Sequence, residues 1–175
     1  YLGSEPSDEF LQWIREWNIG GVKVFGWNTG NLRELASGIA AMQHAAVSAI
    51  PGIPLFIATD QEGGWVRHVK GETSETPGNL AIGASGIAMD AYKSGYYIGR
   101  ELRVLGINMN FAPTVDIYSN PNADVIGPRS FSSDPVEAAF LSVAFFQGQE
   151  EAGVISTAKH FPGHGNAGED SHGTL

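Results

Sequence analysis

The feature that most constrains this chain is a repeated alternation between apolar patterns of helical period and short β-rich apolar runs. Ser7 can cap a first helix, Gly20-Gly21 can end it, and the run 22–25 has the composition of a strand. The same order of signals recurs, with helices predicted over 32–46, 88–105 and 135–152 and strands over 55–58, 107–111 and 154–157. Such an alternation predicts parallel strands that are joined by helical crossovers.

Each predicted helix carries an apolar face that we expect to lie against the strands. The segment 61–86 shows neither a helical nor a strand period and is predicted to be irregular. Asp134 can cap the last helix, and Pro135 suits its first position. The spacing in that helix predicts a buried face made of Val136, Phe140, Val143 and Phe146.

The residues that follow each strand distinguish two folds of this class, the doubly wound sheet and the (β/α)₈ barrel. Polar or ionisable groups come next, namely Trp27-Asn28, Asp60-Gln61-Glu62, Asp116 and Lys159-His160. In a barrel these strand ends converge on one mouth. The motif G-x-x-x-x-G-K-[ST], typical of nucleotide-binding sheets, does not occur, and the one G-x-G-x-x-G spacing, Gly163 to Gly168, lies within a loop and opens no predicted helix. We therefore predict an α/β fold of the (β/α)₈ TIM-barrel type. A full barrel needs about 250 residues, and the chain has 175, so we expect it to be part of a barrel.

Charge and cysteine content exclude several kinds of function. The chain carries 10 Lys and Arg against 19 Asp and Glu, a formal charge of −9, which argues against a nucleic-acid partner. It has no cysteine, which excludes disulfides, thiol nucleophiles and thiolate metal ligands. No apolar run approaches the roughly 18 residues of a membrane span. Glycine is frequent, with 23 residues, so we expect loops to carry the function.

The segment Asp60-Gln61-Glu62-Gly63-Gly64 places two carboxylates at the end of a predicted strand. Such carboxylates can bind sugar hydroxyls, hold a hard metal ion, or act as acid and base. The alternative is structural, with Asp60 capping a turn and Glu62 paired with Arg67. Strand-end carboxylates of barrels are often functional, which favours the first interpretation.

The segment 159–172 concentrates ionisable groups in a loop rich in Gly and Pro, and it holds three of the five His residues. His160, His164, Asp170 and His172 are possible metal ligands, but their spacing lacks the regularity of a helix-borne zinc motif, and we predict no metal. In a second interpretation Asp170 orients and polarises His172, which then transfers a proton. In a third, the histidines only brace the loop.

Two further ionisable residues have simpler surroundings. Arg129 lies in the loop segment Gly127-Pro128-Arg129-Ser130-Phe131, where its planar guanidinium can bind a carboxylate or sugar oxygens, or can pair with Asp134. His44 falls among alanines in the second helix and is interpreted as an ordinary helix residue.

Five motifs recur in one order along nearly the whole chain. They are Asp60-Gln61-Glu62-Gly63-Gly64, Pro77 with Ala81-Ile82-Gly83-Ala84, Asn110-Phe111-Ala112-Pro113 with Val115-Asp116, the run 129–135 beginning Arg129-Ser130-Phe131, and the segment Lys159 to His172. This series resembles glycoside hydrolase family 3, in its branch of β-N-acetylglucosaminidases (β-hexosaminidases).

The resemblance implies a barrel domain that removes terminal β-linked N-acetylglucosamine with retention of configuration, as in peptidoglycan turnover. It also implies that Asp170 and His172 form the acid/base dyad of the reaction, in place of a second carboxylate. Substrate-binding residues implied by the resemblance are Asp60, Arg129, Lys159 and His160. No cofactor is implied.

The sequence departs from the family pattern at two points. A sugar-binding Arg is usual eight positions after the first Asp, where this chain has His68 with Arg67 beside it, so either residue can serve. The nucleophilic Asp of the family lies on a later loop, beyond Leu175, and no residue here is assigned to it. We expect residues 1–175 to be part of the N-terminal catalytic barrel domain, without its first strand and its C-terminal strands.

Other functions fit the same residues. Within the family, a β-glucosidase or a phosphorylase is an alternative to the N-acetylglucosaminidase, and a non-catalytic carbohydrate-binding fragment is an alternative of a different class. A carbohydrate is the expected partner, and the oligomeric state is left open. Location is open between the cytoplasm and the cell envelope, with export favoured.

Overall fold

The computed structural model describes residues 3–168 and Gly173. Within this part, five α-helices alternate with short strands along the chain. The helices are α1 (Asp8–Trp17), α2 (Leu32–Val47), α3 (Asn79–Ser85), α4 (Ala88–Val104) and α5 (Pro135–Glu151). The strands are β1 (Gly21–Lys23), β2 (Phe56–Thr59), β3 (Gln61–Gly63), β4 (Val66–Arg67), β5 (Met109–Asn110) and β6 (Ile155–Ser156). Short 3₁₀ helices cover Gly26–Asn28 and Gly127–Arg129.

Four strands form one parallel sheet in the order β1-β2-β5-β6. Consecutive parallel strands are joined by helices, which confirms the predicted α/β class with helical crossovers. Because the strands are parallel, their carboxyl ends lie along the same edge of the sheet.

The predicted helix starts agree with the capping contacts. The Ser7 side chain accepts from the backbone N–H of Phe10, and the Asn31 side chain accepts from two backbone N–H groups in the first turn of α2. Asp134 caps α5 in the same way, with Pro135 at the first helical position. The capping residues thus fix where three helices begin, as their side-chain chemistry predicts.

The main core lies between the sheet and its helices. Its buried residues include Val24 and Ile57 of the strand segments and Leu35 and Leu102 of α2 and α4. Among the described residues, no helix combines the length and apolar character that a membrane crossing requires.

The prediction for the buried face of α5 was wrong. Val136, Phe140 and Val143 are mostly exposed and Phe146 is half-buried, while a face that includes Leu141 and Phe145 is buried. The reason is the close packing of α5 against α4, which requires small residues at the contact. A Cβ placed on Gly148 would lie 2.1 Å from the carbonyl oxygen of Tyr92. The remaining buried positions of α5 are small or polar residues, namely Ala138, Ser142, Ala144, Gly148 and Gln149.

The segment 61–86 is more ordered than predicted. It contains the antiparallel pair β3 and β4, followed by α3. Gly63 and Gly64 both have positive φ, and a Cβ on Gly64 would lie 2.6 Å from the Cα of Gly78. The two glycines therefore allow a tight turn against a neighbouring loop, and this turn leads the chain back after Asp60 and Glu62.

Candidate active site

The carboxyl ends of the strands bring three buried carboxylates and several cations into one cluster. Asp60 and Glu62 follow β2, and Asp116 follows β5, as the barrel prediction requires. Lys159 and His160 follow β6 and contact these acids. Asn28, in the 3₁₀ helix that follows β1, donates from its side-chain amide to the carbonyl of Gly3.

Asp60 is held between two lysines. Its Oδ1 lies 2.6 Å from Lys159 Nζ, and its Oδ2 lies 2.7 Å from Lys23 Nζ. Burial alone would raise the pKa of Asp60, but the contacts with Lys159 and Lys23 outweigh it and hold the pKa below its ordinary value. Asp60 is therefore a carboxylate, with both oxygens engaged by cations.

Glu62 is almost fully buried and binds Arg129 through two parallel hydrogen bonds. Arg129 Nε donates to Oε2 at 3.0 Å and Nη2 donates to Oε1 at 2.9 Å, and Lys159 Nζ lies 2.5 Å from the same Oε1. Burial would raise the pKa of Glu62, but Arg129 and Lys159 lower it overall. The two pairings of the structural alternatives are wrong, because Glu62 pairs with Arg129 rather than with Arg67, and Asp134 caps α5 rather than pairing with Arg129.

Asp116 organises the segment that follows β6. Its Oδ2 lies 2.6 Å from His160 Nδ1 and accepts from the backbone N–H of His160, while its Oδ1 accepts from the backbone N–H of His164. Burial would raise the pKa of Asp116, but the His160 and His164 hydrogen bonds keep it below its ordinary value. The other ring nitrogen of His160 lies 3.3 Å from Arg129 Nη2, so this pair adjoins the Glu62 cluster.

The two candidates at the position of the family's arginine have different surroundings. His68 Nδ1 lies 4.0 Å from Asp60 Oδ2, whereas the Arg67 guanidinium lies 3.2 Å from Glu75. Burial lowers the pKa of His68, against the opposing effect of the Asp60 charge. His68 is thus the one of the two that borders the Asp60 carboxylate.

Side-chain amides fix the backbone that carries the carboxylates. Asn110 accepts from the backbone N–H of Gln61 and donates to its carbonyl, and the Gln61 side chain makes the same pair of contacts with Val69. All these contacts are buried, so they hold the turn between Asp60 and Glu62 in one position.

Sequence reasoning did not single out Lys23 as a site residue. Its signal in the sequence is a charged residue within the otherwise apolar run 22–25. Asp116 appeared only as a polar strand end and as part of a motif. Lys23 is far along the chain from its partner Asp60, and Asp116 is far from its partner His160, so only the fold brings these groups together.

The predicted dyad, Asp170 and His172, lies outside the described residues. Across residues 3–168, no group of three or more His, Asp and Glu side chains is arranged to hold a metal ion. His44 lies on the exposed surface of α2, as expected.

The cluster alternates carboxylates with lysine and arginine side chains at the carboxyl edge of a parallel sheet. Such an arrangement offers fixed hydrogen-bond acceptors and donors side by side, which suits a polyhydroxylated ligand. The fold and this site are those of an α/β barrel domain whose candidate binding groups lie at the carboxyl ends of the strands.

Comparison with known families identifies the group more closely. Residues 2–175 match the model of the glycosyl hydrolase family 3 N-terminal domain. The chain therefore belongs to glycosyl hydrolase family 3. This finding confirms the resemblance drawn from the motifs and, with it, the TIM-type barrel class.

Two curated relatives are β-hexosaminidases. The chain is 45% identical to beta-hexosaminidase A of Pseudoalteromonas piscicida over 168 residues, which cover 94% of this chain and 28% of that protein. It is 37% identical to the beta-hexosaminidase of Tolumonas auensis, with 97% of this chain and 49% of that protein covered. The chain thus spans between about a quarter and a half of the length of these relatives.

Two solved structures are also similar to this chain. The glycoside hydrolase family 3 beta-N-acetylglucosaminidase of Paenibacillus sp. str. FPU-7 is 44% identical, with a TM-score of 0.94, and the match covers 98% of this chain and 32% of that one. NagZ from Neisseria gonorrhoeae, solved in complex with N-trifluoroacetyl-D-glucosamine, is 31% identical with a TM-score of 0.89, covering 100% of this chain and 52% of that one.

Proposed function

We propose that the protein containing this chain is a retaining glycoside hydrolase that removes terminal β-linked N-acetylglucosamine from peptidoglycan-derived or related glycosides. Residues 1–175 form part of its catalytic barrel domain. The observation that carries the proposal is the cluster of Asp60, Glu62, Arg129, Lys159 and His160 at one mouth, in a chain of this family. The names of the relatives support the choice of sugar.

In this proposal Asp60, Lys159 and His160 bind the hydroxyl groups of the terminal sugar, with Arg129 beside them. Asp60 supplies anionic acceptors and Lys159 supplies donors, at a separation of 2.6 Å, so adjacent hydroxyls can each find a partner. Glu62 holds Lys159 and Arg129 in place through its buried contacts. The ring is thereby fixed for attack at its anomeric carbon, and a fixed geometry lowers the entropic part of the barrier.

Proton transfer is assigned, through the family resemblance, to Asp170 and His172. Asp170 orients the imidazole of His172, which protonates the leaving oxygen in the first step and accepts a proton from water in the second. A histidine becomes neutral after it gives up its proton, so no second anionic carboxylate is needed near the nucleophile. Arg67 and His68 remain proposed as alternative sugar contacts, and His68 is favoured by its proximity to Asp60.

The test uses the protein expressed from its complete reading frame and 4-nitrophenyl N-acetyl-β-glucosaminide. We expect hydrolysis with the β-anomer as the first product, observed by proton NMR. Asp60→Asn should lower kcat/KM at least about tenfold, because a charged acceptor is lost. Asp90→Asn, at an exposed position on α4, is the matched control. Hydrolysis of the glucoside alone, or a sugar phosphate formed only when phosphate is added, would replace the proposal with one of the other family activities.

The dyad has its own test. His172→Ala should keep rapid release of a good leaving group in the first turnover and then stall, because protonation matters least for such groups. His44→Ala, on the exposed face of α2, is the matched control. Unchanged steady-state turnover on all substrates would remove His172 from the mechanism.

A further inference from the structure

Lys23 is a charged residue in a strand whose neighbours are apolar. It pairs in register with Ala58, which pairs with Met109, which pairs with Ile155. Side chains alternate between the two faces of a strand, and the adjacent Val24 is fully buried in the core beneath the helices. Lys23 therefore lies on the opposite face of the sheet, the inner face of the barrel.

The Lys23 side chain extends to the site at the mouth. Its Nζ lies 2.7 Å from Asp60 Oδ2, 4.4 Å from the centre of the Phe25 ring and 5.4 Å from the centre of the Phe111 ring. Both rings are within the range of a cation–π contact. The ammonium is thus held in one place, yet 36% of the side chain remains exposed.

Charge pairing of the neighbouring carboxylates does not need Lys23. Lys159 contacts both Asp60 and Glu62, and Arg129 binds Glu62 through two hydrogen bonds. Asp60 and Glu62 therefore already have two cationic partners, Lys159 and Arg129, and Lys23 is a third. An ammonium has three N–H donors, and the contact with Asp60 Oδ2 uses one.

We propose that Lys23 is a further substrate-binding residue, which donates to a ring hydroxyl of the terminal sugar while Asp60 accepts from that hydroxyl or its neighbour. The inference rests on the proposed glycosidase function and adds a residue to its sugar-binding set. Lys23 and Asp60 form a donor and an acceptor side by side, which complements a hydroxyl group that both donates and accepts.

The experiment compares Lys23→Met, Lys23→Arg and Lys93→Met in the protein expressed from its complete reading frame. Lys93 is exposed on α4 and serves as the matched control. Substrates are 4-nitrophenyl N-acetyl-β-glucosaminide and its 3-, 4- and 6-deoxy analogues. We expect Lys23→Met to lower kcat/KM about 10- to 100-fold on the parent substrate, the range for a hydrogen bond to a charged group. Lys23→Arg should restore part of the loss.

The deoxy analogues separate binding from a structural role. If Lys23 donates to one hydroxyl, the Lys23→Met penalty should fall below about threefold on the analogue that lacks that hydroxyl and persist on the others. An equal penalty on all analogues, or a parent kcat/KM within twofold of wild type, would overturn the proposal. A wild-type protein that hydrolyses no N-acetyl-β-glucosaminide would overturn the glycosidase function itself, which is a distinguishable result.

Discussion

The two halves of the site hold their carboxylates in different ways. In the first half, Asp60 and Glu62 are bound by the side chains of Lys23, Lys159 and Arg129. In the second half, Asp116 is bound by the His160 ring and by backbone N–H groups. Imidazole is the side chain that ordinarily changes charge near neutrality. The first half, which we call the fixed-charge half, thus consists of carboxylates paired with lysine and arginine, and the second consists of an aspartate paired with an imidazole.

This difference suggests a division of tasks. A fixed set of donors and acceptors keeps its geometry through a reaction cycle and suits the binding of a neutral sugar. His160 contacts the buried Asp116 through one ring nitrogen and Arg129 through the other, so it connects the two halves. The four predictions below test the division, beginning with the largest expected effect.

Replacing Glu62 should have the largest effect on stability. Glu62→Gln leaves Arg129 and Lys159 without their buried anion, and breaking a buried ion pair from one side costs about 3 to 5 kcal/mol. We expect the free energy of unfolding, measured by urea denaturation, to fall by about 3 kcal/mol. Glu150→Gln, at an exposed position of α5, should change it by less than about 0.5 kcal/mol. Equal values for the two variants would contradict the fixed-charge interpretation.

The stability of the protein at acidic pH provides an independent test of the ion pairs that Glu62 makes with Arg129 and Lys159. The pKa of Glu62 in the folded protein lies below its ordinary value of 4.5, because Arg129 and Lys159 outweigh the effect of burial. Its contribution to stability is therefore complete above about pH 4.5 and is lost as the pH falls through the lower pKa of the folded state. The wild-type protein should lose stability more steeply than Glu62→Gln over this range.

The second prediction concerns Asp116. Asp116→Asn keeps a carbonyl acceptor for a backbone N–H but removes the anion beside the His160 ring. We expect kcat/KM to fall about tenfold or more, since a hydrogen bond to a charged group is lost. The Nδ1 proton of His160, observed by proton NMR, should shift upfield as its hydrogen bond weakens. Asp124→Asn is the exposed control, and an unchanged proton signal would show that Asp116 does not hold the ring.

The third prediction concerns His68, whose protonation should change the free energy of unfolding by a smaller amount and over a defined pH range. Burial lowers the pKa of His68 below its ordinary value of 6.5, so the unfolded chain takes up a proton before the folded protein does. Stability should therefore decline as the pH falls from about 6.5 towards the lower pKa of the folded state. His68→Gln should remove this decline in urea denaturation measured at several pH values. A slope that persists in His68→Gln would assign it to another histidine.

The sequence predicted local features of this protein better than it predicted contacts between distant residues. Ser7, Asn31 and Asp134 act as helix caps through neighbouring backbone groups, so their roles follow from a few residues of sequence. The pair of Glu62 and Arg129 joins positions 67 residues apart, and Lys159 reaches Asp60 across 99. Such pairs depend on the order and register of strands, which no local pattern contains.

The error in α5 has a related cause. The helical period of Val136, Phe140 and Val143 was real, but it could not indicate which face meets the neighbouring helix. Small residues such as Gly148 decide that, because they let the two helices approach closely. The barrel class and the strand-end cluster could be predicted, whereas Lys23 could not, since its role depends on the inner face of the sheet.

The smallest effect is expected at the ion pair of Arg67 and Glu75, which lies outside both halves of the site. The two side chains are 3.2 Å apart, but 83% of Glu75 is exposed to solvent. Water screens such a pair, so Glu75→Gln should change the free energy of unfolding by less than about 1 kcal/mol and leave kcat/KM within twofold of wild type. Urea denaturation and steady-state kinetics measure both quantities. A larger loss of activity would mean that Glu75 positions Arg67 for the substrate, and the fixed-charge half would then extend from β3 to β4. A small effect would show that burial, rather than pairing alone, sets the contribution of each ion pair in this protein.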